Sequence, residues 1–135
     1  MISLSCSIDN DVDDTIVLPS SSHYIIVFGD IHKYTEGSNI VYYDSSIDWI
    51  ISQLDKGVDV CAVLEVGDVT QNNLDNQWAA FRESTIELAN KVPFFTCIGN
   101  HDYEWKEQTK KHDRSMTLIN KFAHFNRTDN QIVEY

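Results

Sequence analysis

Three short apolar runs in this chain each break off into polar residues of the metal-ligand type. Tyr24-Ile25-Ile26-Val27-Phe28 runs into Gly29-Asp30-Ile31-His32. Val60-Cys61-Ala62-Val63-Leu64-Glu65-Val66 runs into Gly67-Asp68, and Pro93-Phe94-Phe95-Thr96-Cys97-Ile98 runs into Gly99-Asn100-His101-Asp102. No other feature constrains the fold as much. Runs this short and this continuously apolar read as strands covered on both faces.

The segments between them carry helical spacing. Ile47, Ile50, Ile51 and Leu54 form one apolar face, with Ser45 and Asp48 as a capping box and Gly57 as the stop. Leu74, Trp78, Phe81, Thr85 and Leu88 form a second stripe, with Asp75 as N-cap and Pro93 at the entry to the third run. A third helix is expected from about Asp113, turning Met116, Ile119, Phe122 and Ala123 inward, and a last short strand at Ile132-Val133. The order β-α-β-α-β-α predicts an α/β fold with parallel strands joined by right-handed crossovers. All strand C-termini then share one edge, where ligands bind. That placement alone draws Asp30, His32, Asp68, Asn100 and His101 toward one place.

Composition narrows the function classes. A chain of 135 residues allows one domain, here an N-terminal extension over 1–22 followed by a domain over 23–135. The formal net charge of −11 argues against a nucleic-acid backbone or an anionic membrane as partner. Phosphate chemistry stays open, because metal ions reverse the local sign at a site. Cys6, Cys61 and Cys97 have no metal-type spacing, and the last two read as buried thiols within apolar strands. No run reaches the length of a membrane helix and no secretory leader is legible, which favours the cytoplasm. Asp9, Asp11, Asp13 and Asp14 suggest a calcium loop, but Asp14 and Ser20 stand where an EF-hand needs Gly and Glu. A solvated extension, or an edge strand over Thr15-Ile16-Val17-Leu18, is the better reading.

Two aspartates, a histidine and an asparagine oxygen make a mixed nitrogen and oxygen site suited to divalent manganese, iron or zinc. Asp30 and Asp68 repel each other when bare, and a cation between them removes that cost. Asp68 can bridge two ions, an arrangement suited to attack on phosphorus by a hydroxide the ions hold. His101 is then placed to protonate the leaving oxygen or steady the charged transition state. A Gly-Asp pair after a strand is by itself an ordinary turn. The three motifs together, each on a strand end and in this order, are not.

Asp30-x-His32, Gly67-Asp68 and Gly99-Asn100-His101-Asp102 closely resemble the motifs of the calcineurin-like metallophosphoesterase superfamily over about residues 23–105. The resemblance implies a metal-dependent hydrolase of phosphomonoesters or phosphodiesters carrying two divalent ions. Asp30 and His32 would hold the first metal, Asp68 would bridge, Asn100 would hold the second, and His101 would be the catalytic acid. Gly67-Asp68-Val69-Thr70 followed by Trp78 and Phe81 looks more like the bacterial phosphodiesterase and nucleotidase branches than the protein phosphatases. Lys33 stands where the protein phosphatase branch has Gly.

This sequence departs from the pattern twice. Gln71 stands where several branches place an Asp that orients the catalytic His, and Asp102 is the acidic neighbour that could support it instead. The family also completes its metal sites with a later His and a Gly-His-x-His motif. Downstream there are only His112 and His124, both read as surface or helix-packing side chains. What is present resembles the first half of the four-layer α-β-β-α sandwich, with an apolar sheet face left open. The missing imidazoles would come from the same gene or another chain. The rival expectation is a non-catalytic α/β interaction or structural module that keeps part of the metal site.

Overall fold

The computed structural model describes residues 16–115 and 117–122. β1 (His23–Phe28) pairs in parallel with β2 (Asp59–Glu65), which pairs in parallel with β3 (Phe94–Thr96), in the order β1-β2-β3. α1 (Ile40–Asp55) and α2 (Asp75–Lys91) make the two crossovers. Strands laid down in sequence by crossovers of one hand put both helices on the same side of the sheet. Tyr43 of α1 stacks on Phe81 of α2, with ring centroids 6.1 Å apart, and meets Phe28 of β1 edge-on at 5.2 Å. Ile47, Ile50, Val63, Trp78 and Leu88 complete this helix-side core.

Among the described residues, no element covers the other sheet face. Ile25, Val27 and Phe95 are 62%, 58% and 41% exposed, so the strands are covered on one face rather than two. Cys61 and Cys97 are exposed as well, contrary to the expectation of buried thiols, because no described element forms a layer on that side. The open apolar face follows the half-sandwich expectation.

Several boundaries differ from the sequence reading. α1 begins at Ile40, so Ser45 lies inside it and donates its hydroxyl to Val41 O at 2.8 Å instead of capping. It ends before Gly57, whose φ of 82° suits the glycine stop. Asp75 is the first residue of α2, with Leu74 preceding it half-exposed and outside the buried stripe. Residues 16–18 form no strand, although Leu18 N donates to Gln53 Oε1 at 2.9 Å and its side chain packs on the core.

The largest correction follows β3. Where a helix from Asp113 was expected, β4 (Glu104–Lys106) and β5 (Lys111–Asp113) form an antiparallel hairpin. Asp113 closes it by accepting from Ser115 N and Oγ, a local bond that favours turns over helix interiors. α3 starts only at Ile119 and is described to Phe122. It is tied to α2 by Arg82 Nη1 donating to Phe122 O at 3.1 Å. Cys6, the Asp9–Asp14 run, Thr15, Met116, Ala123, His124 and the strand expected at Ile132-Val133 lie outside the described residues.

Candidate metal centre

Each parallel strand delivers its motif to the same edge, and the three loops are then laced together by backbone contacts. Asp30 (φ 55°, ψ 38°) and Asp68 (φ 54°) are both left-handed, a conformation that Asp tolerates better than most side chains. Asp30 N donates to Gly67 O at 3.3 Å, and Thr35 Oγ1, on a buried side chain, donates to Val69 O at 2.8 Å. The second and third loops meet still more closely. Gly67 has φ 102°, and a Cβ there would lie 2.7 Å from Gly99 N. A Cβ on Gly99 would overlap Asp68 N and Oδ1. Two glycines therefore face each other because no side chain fits between the loops.

Asp102 is the staple of this junction. Fully buried, its carboxylate accepts Gly99 N at 2.9 Å and Val69 N at 3.2 Å on one oxygen. The other oxygen accepts Thr70 N at 2.7 Å and Thr70 Oγ1 at 3.0 Å. Burial pushes its pKa up, and the bonds from Gly99, Thr70 and Val69 pull it back. The supporting role expected of Asp102 is thus structural: these four bonds go to the loops, not to the His101 ring. Asp102→Ala would orphan the buried Val69 and Thr70 amides and the half-buried Gly99 amide, and a loss of about 3 kcal/mol is expected by urea denaturation. Asp102→Asn keeps the acceptor oxygen and should lose less. A change below about 0.5 kcal/mol for Asp102→Ala would show that the loops do not depend on it.

The imidazoles are held by Gln71 instead. His32 Nδ1 donates to Gln71 Oε1 at 2.5 Å and His101 Nδ1 donates to Gln71 O at 3.1 Å. The two rings stack, with centroids 4.5 Å apart and planes within 10°. Each Nδ1–H donor leaves Nε2 as the open nitrogen of its ring, the arrangement that prepares a metal-binding or proton-transferring imidazole. The position read as a departure therefore orients both rings at once. His112, on β5, stands edge-on to His101 at 5.9 Å, with Trp105 against it at 5.0 Å. It lies partly exposed on the hairpin rather than packing on a helix, and its place beside His101 depends on that unexpected hairpin.

Asp68 and His101 are joined directly, since His101 N donates to Asp68 Oδ1 at 2.8 Å. Asn100 is exposed at the rim, and Asp30 is also exposed. The donor atoms of Asp30, His32 and Asp68 are not all within 4.8 Å of one another. The loops are assembled, but the side chains are not closed on a common point. The donor set suits a divalent ion preferring oxygen and nitrogen. The Gln71 bond to His32 supplies the outer partner that metal-binding histidines ordinarily have.

Behind the loops sits Glu65, fully buried at the end of β2, its carboxyl oxygens without hydrogen-bond partners of good geometry. Burial raises its pKa to about 8, the charges of Asp102 and Asp30 add to this, and the nearby Gly67 amide opposes it. Tyr43, whose buried hydroxyl is likewise unpaired, is raised by burial and then by Glu65. The apolar run Val60 to Val66 gave no signal that its one acidic residue faces the core.

The calcineurin-like phosphoesterase family model matches residues 23–133, and this chain belongs to that family. An Arabidopsis thaliana protein named "Probable inactive purple acid phosphatase 9" is 30% identical over 94 residues, which is 64% of this chain. The match covers 14% of that relative's length. No solved structure gives a significant match.

Proposed function

We propose that this chain carries the first part of a dinuclear phosphoesterase site that hydrolyses a phosphomonoester or phosphodiester. The observation that carries the reading is the convergence of three strand-end motifs on one sheet edge, with His101 N bonded to Asp68 and both imidazoles oriented by Gln71. Asp30 and His32 would hold one divalent ion, Asn100 a second, and Asp68 would lie between them. Such ions, manganese, iron or zinc, would supply positive charge for the phosphoryl oxygens and an activated nucleophile.

The chain's own residues do the rest. Gln71 O holds the Nδ1 proton of His101, so that Nε2, once protonated, can pass its proton to the leaving oxygen. The left-handed turns at Asp30 and Asp68 fix where each carboxylate leaves its strand. The Asp102 staple keeps the Asp68 and His101 loops in one register. The bare sheet face and the short donor set support further ligands arriving from additional chain, in the same polypeptide or another.

A specific observation favours a second reading, a non-catalytic module. The Arabidopsis relative is named inactive, and here Gln71 occupies the position where an acidic orienter was expected. Hydrolysis of p-nitrophenyl phosphate and its bis-ester with manganese decides between the readings, using this chain, a longer form, and Asp68→Ala in each. Turnover that falls about 1000-fold on Asp68→Ala is expected, a loss of several kcal/mol of transition-state stabilisation. Turnover that ignores the substitution overturns the bridging assignment. Manganese binding without turnover in every form favours the module.

A further inference from the structure

We propose that His23, Asp59 and Cys61 form a second metal site, of the zinc class, at the opposite edge of the sheet from the candidate phosphoester centre. Their ligand atoms lie within 4.8 Å of one another. His23 Nδ1 is 2.5 Å from Asp59 Oδ2, and Cys61 Sγ is 3.8 Å from Asp59 Oδ1. Among the described residues this is the group of three that meets such a spacing, and it lies where the strand-end motifs do not reach.

The fold builds this cluster rather than leaving it to mobile side chains. His23 and Asp59 open β1 and β2 and are direct partners in the parallel register. After Tyr24 pairs with Val60, Ile25 pairs with Ala62, so Cys61 is the extra residue of a bulge. Residues two apart on a strand share a face, and Asp59 and Cys61 both lie on the exposed side of β2. The three donors therefore come from rigid strand positions, with open solvent to supply a fourth ligand.

The chemistry points to one class of ion. An imidazole nitrogen, a carboxylate oxygen and a thiolate sulfur are together too soft for magnesium or calcium and suit zinc, which takes three protein ligands and a water in open sites. Tetrahedral bonds of about 2.0–2.3 Å put donors roughly 3.3–3.7 Å apart, so the His23–Asp59 pair need only open modestly. Binding releases the thiol proton to solvent and places two negative ligands around a doubly positive ion, leaving the site neutral. The acidic chain favours cation approach. The motif residues of the candidate phosphoester centre include no sulfur donor, so a thiolate signature that disappears in Cys61→Ser reports on this site.

Cobalt(II) added to the reduced full chain tests the proposal, with zinc as competitor. A near-ultraviolet thiolate-to-cobalt band that zinc abolishes is expected, and Cys97→Ser should retain it. Cys61→Ser should lose the band, and both it and His23→Ala should weaken zinc binding more than about ten-fold, since outer-shell partners alone are worth about 10- to 100-fold. These side chains are exposed, so the variants should keep the wild-type far-ultraviolet spectrum. No band with the wild-type chain, a band surviving in Cys61→Ser, or zinc affinity unchanged in His23→Ala would each overturn the site.

Discussion

Gly99→Ala is expected to dismantle the candidate centre, lowering the stability of the chain and, on the proposed function, its affinity for divalent ions such as manganese. The new Cβ would fall on Asp68 N and Oδ1, a backbone amide and a carboxylate already held by His101 N. Neither is the free end of a flexible side chain. The third loop must therefore retreat from the second, and the Gly99 N bond to Asp102 goes with it. Overpacking typically costs about 1–3 kcal/mol, and an overlap with a backbone amide belongs at the upper end of that range. Gly67→Ala should act in the same direction, meeting Gly99 N and adding a strained φ of 102°. Gly57→Ala is the control: its φ is 82° but nothing lies within 4 Å of the added carbon, so only the backbone cost of about 1 kcal/mol remains. Thermal melting and manganese titration of the three variants give the answer. Gly99→Ala behaving like Gly57→Ala would mean that the two loops do not meet as closely as described.

The second large effect concerns Glu65. Its folded pKa of about 8 lies above the ordinary carboxyl value of 4.5, so the folded state holds a proton that the unfolded state releases. Its contribution to stability is then fully present below about pH 4.5 and is lost progressively as the pH rises toward 8. The span corresponds to roughly 4–5 kcal/mol. Glu65→Leu, measured against the wild type by urea denaturation in chelator, should therefore gain stability steadily from pH 5 to pH 8. Glu65→Gln removes the titration while keeping the shape, and should flatten the pH dependence even if the amide is poorly bonded. A wild-type-minus-variant difference that stays constant over that range would refute the assignment. Below its pKa the neutral side chain also avoids adding a third negative charge beside Asp102 and Asp30.

Much of the fold is legible in local pattern because parallel strands and crossover helices announce themselves by continuous apolar runs and 3.6-residue periods. β1 lies where Tyr24 to Phe28 place it, and Trp78, Phe81, Thr85 and Leu88 are all buried as their spacing implies. The hairpin was not legible, since Glu104 to Lys106 and Lys111 to Asp113 are three residues each, with Trp105 their single apolar side chain, too short to show a period. With it went the position of His112. Of the candidate centre, the motif positions and their shared sheet edge could be read from topology. Which atom each side chain meets could not.

The sequence by itself determined the class of chain: three strand ends carrying Asp30-x-His32, Gly67-Asp68 and Gly99-Asn100-His101-Asp102, in the order that parallel topology gathers at one edge. Only the tertiary structure decided that Asp102 is a staple, that Gln71 orients two imidazoles, that Glu65 is buried without a well-formed hydrogen bond, and that His23, Asp59 and Cys61 meet. The reason is physical. Periodicity reports which way a segment faces, because burial repeats along the chain. A hydrogen bond between residues more than thirty positions apart, or the register that sets His23 opposite Asp59, depends on how loops and strands meet in space, and leaves no period to read.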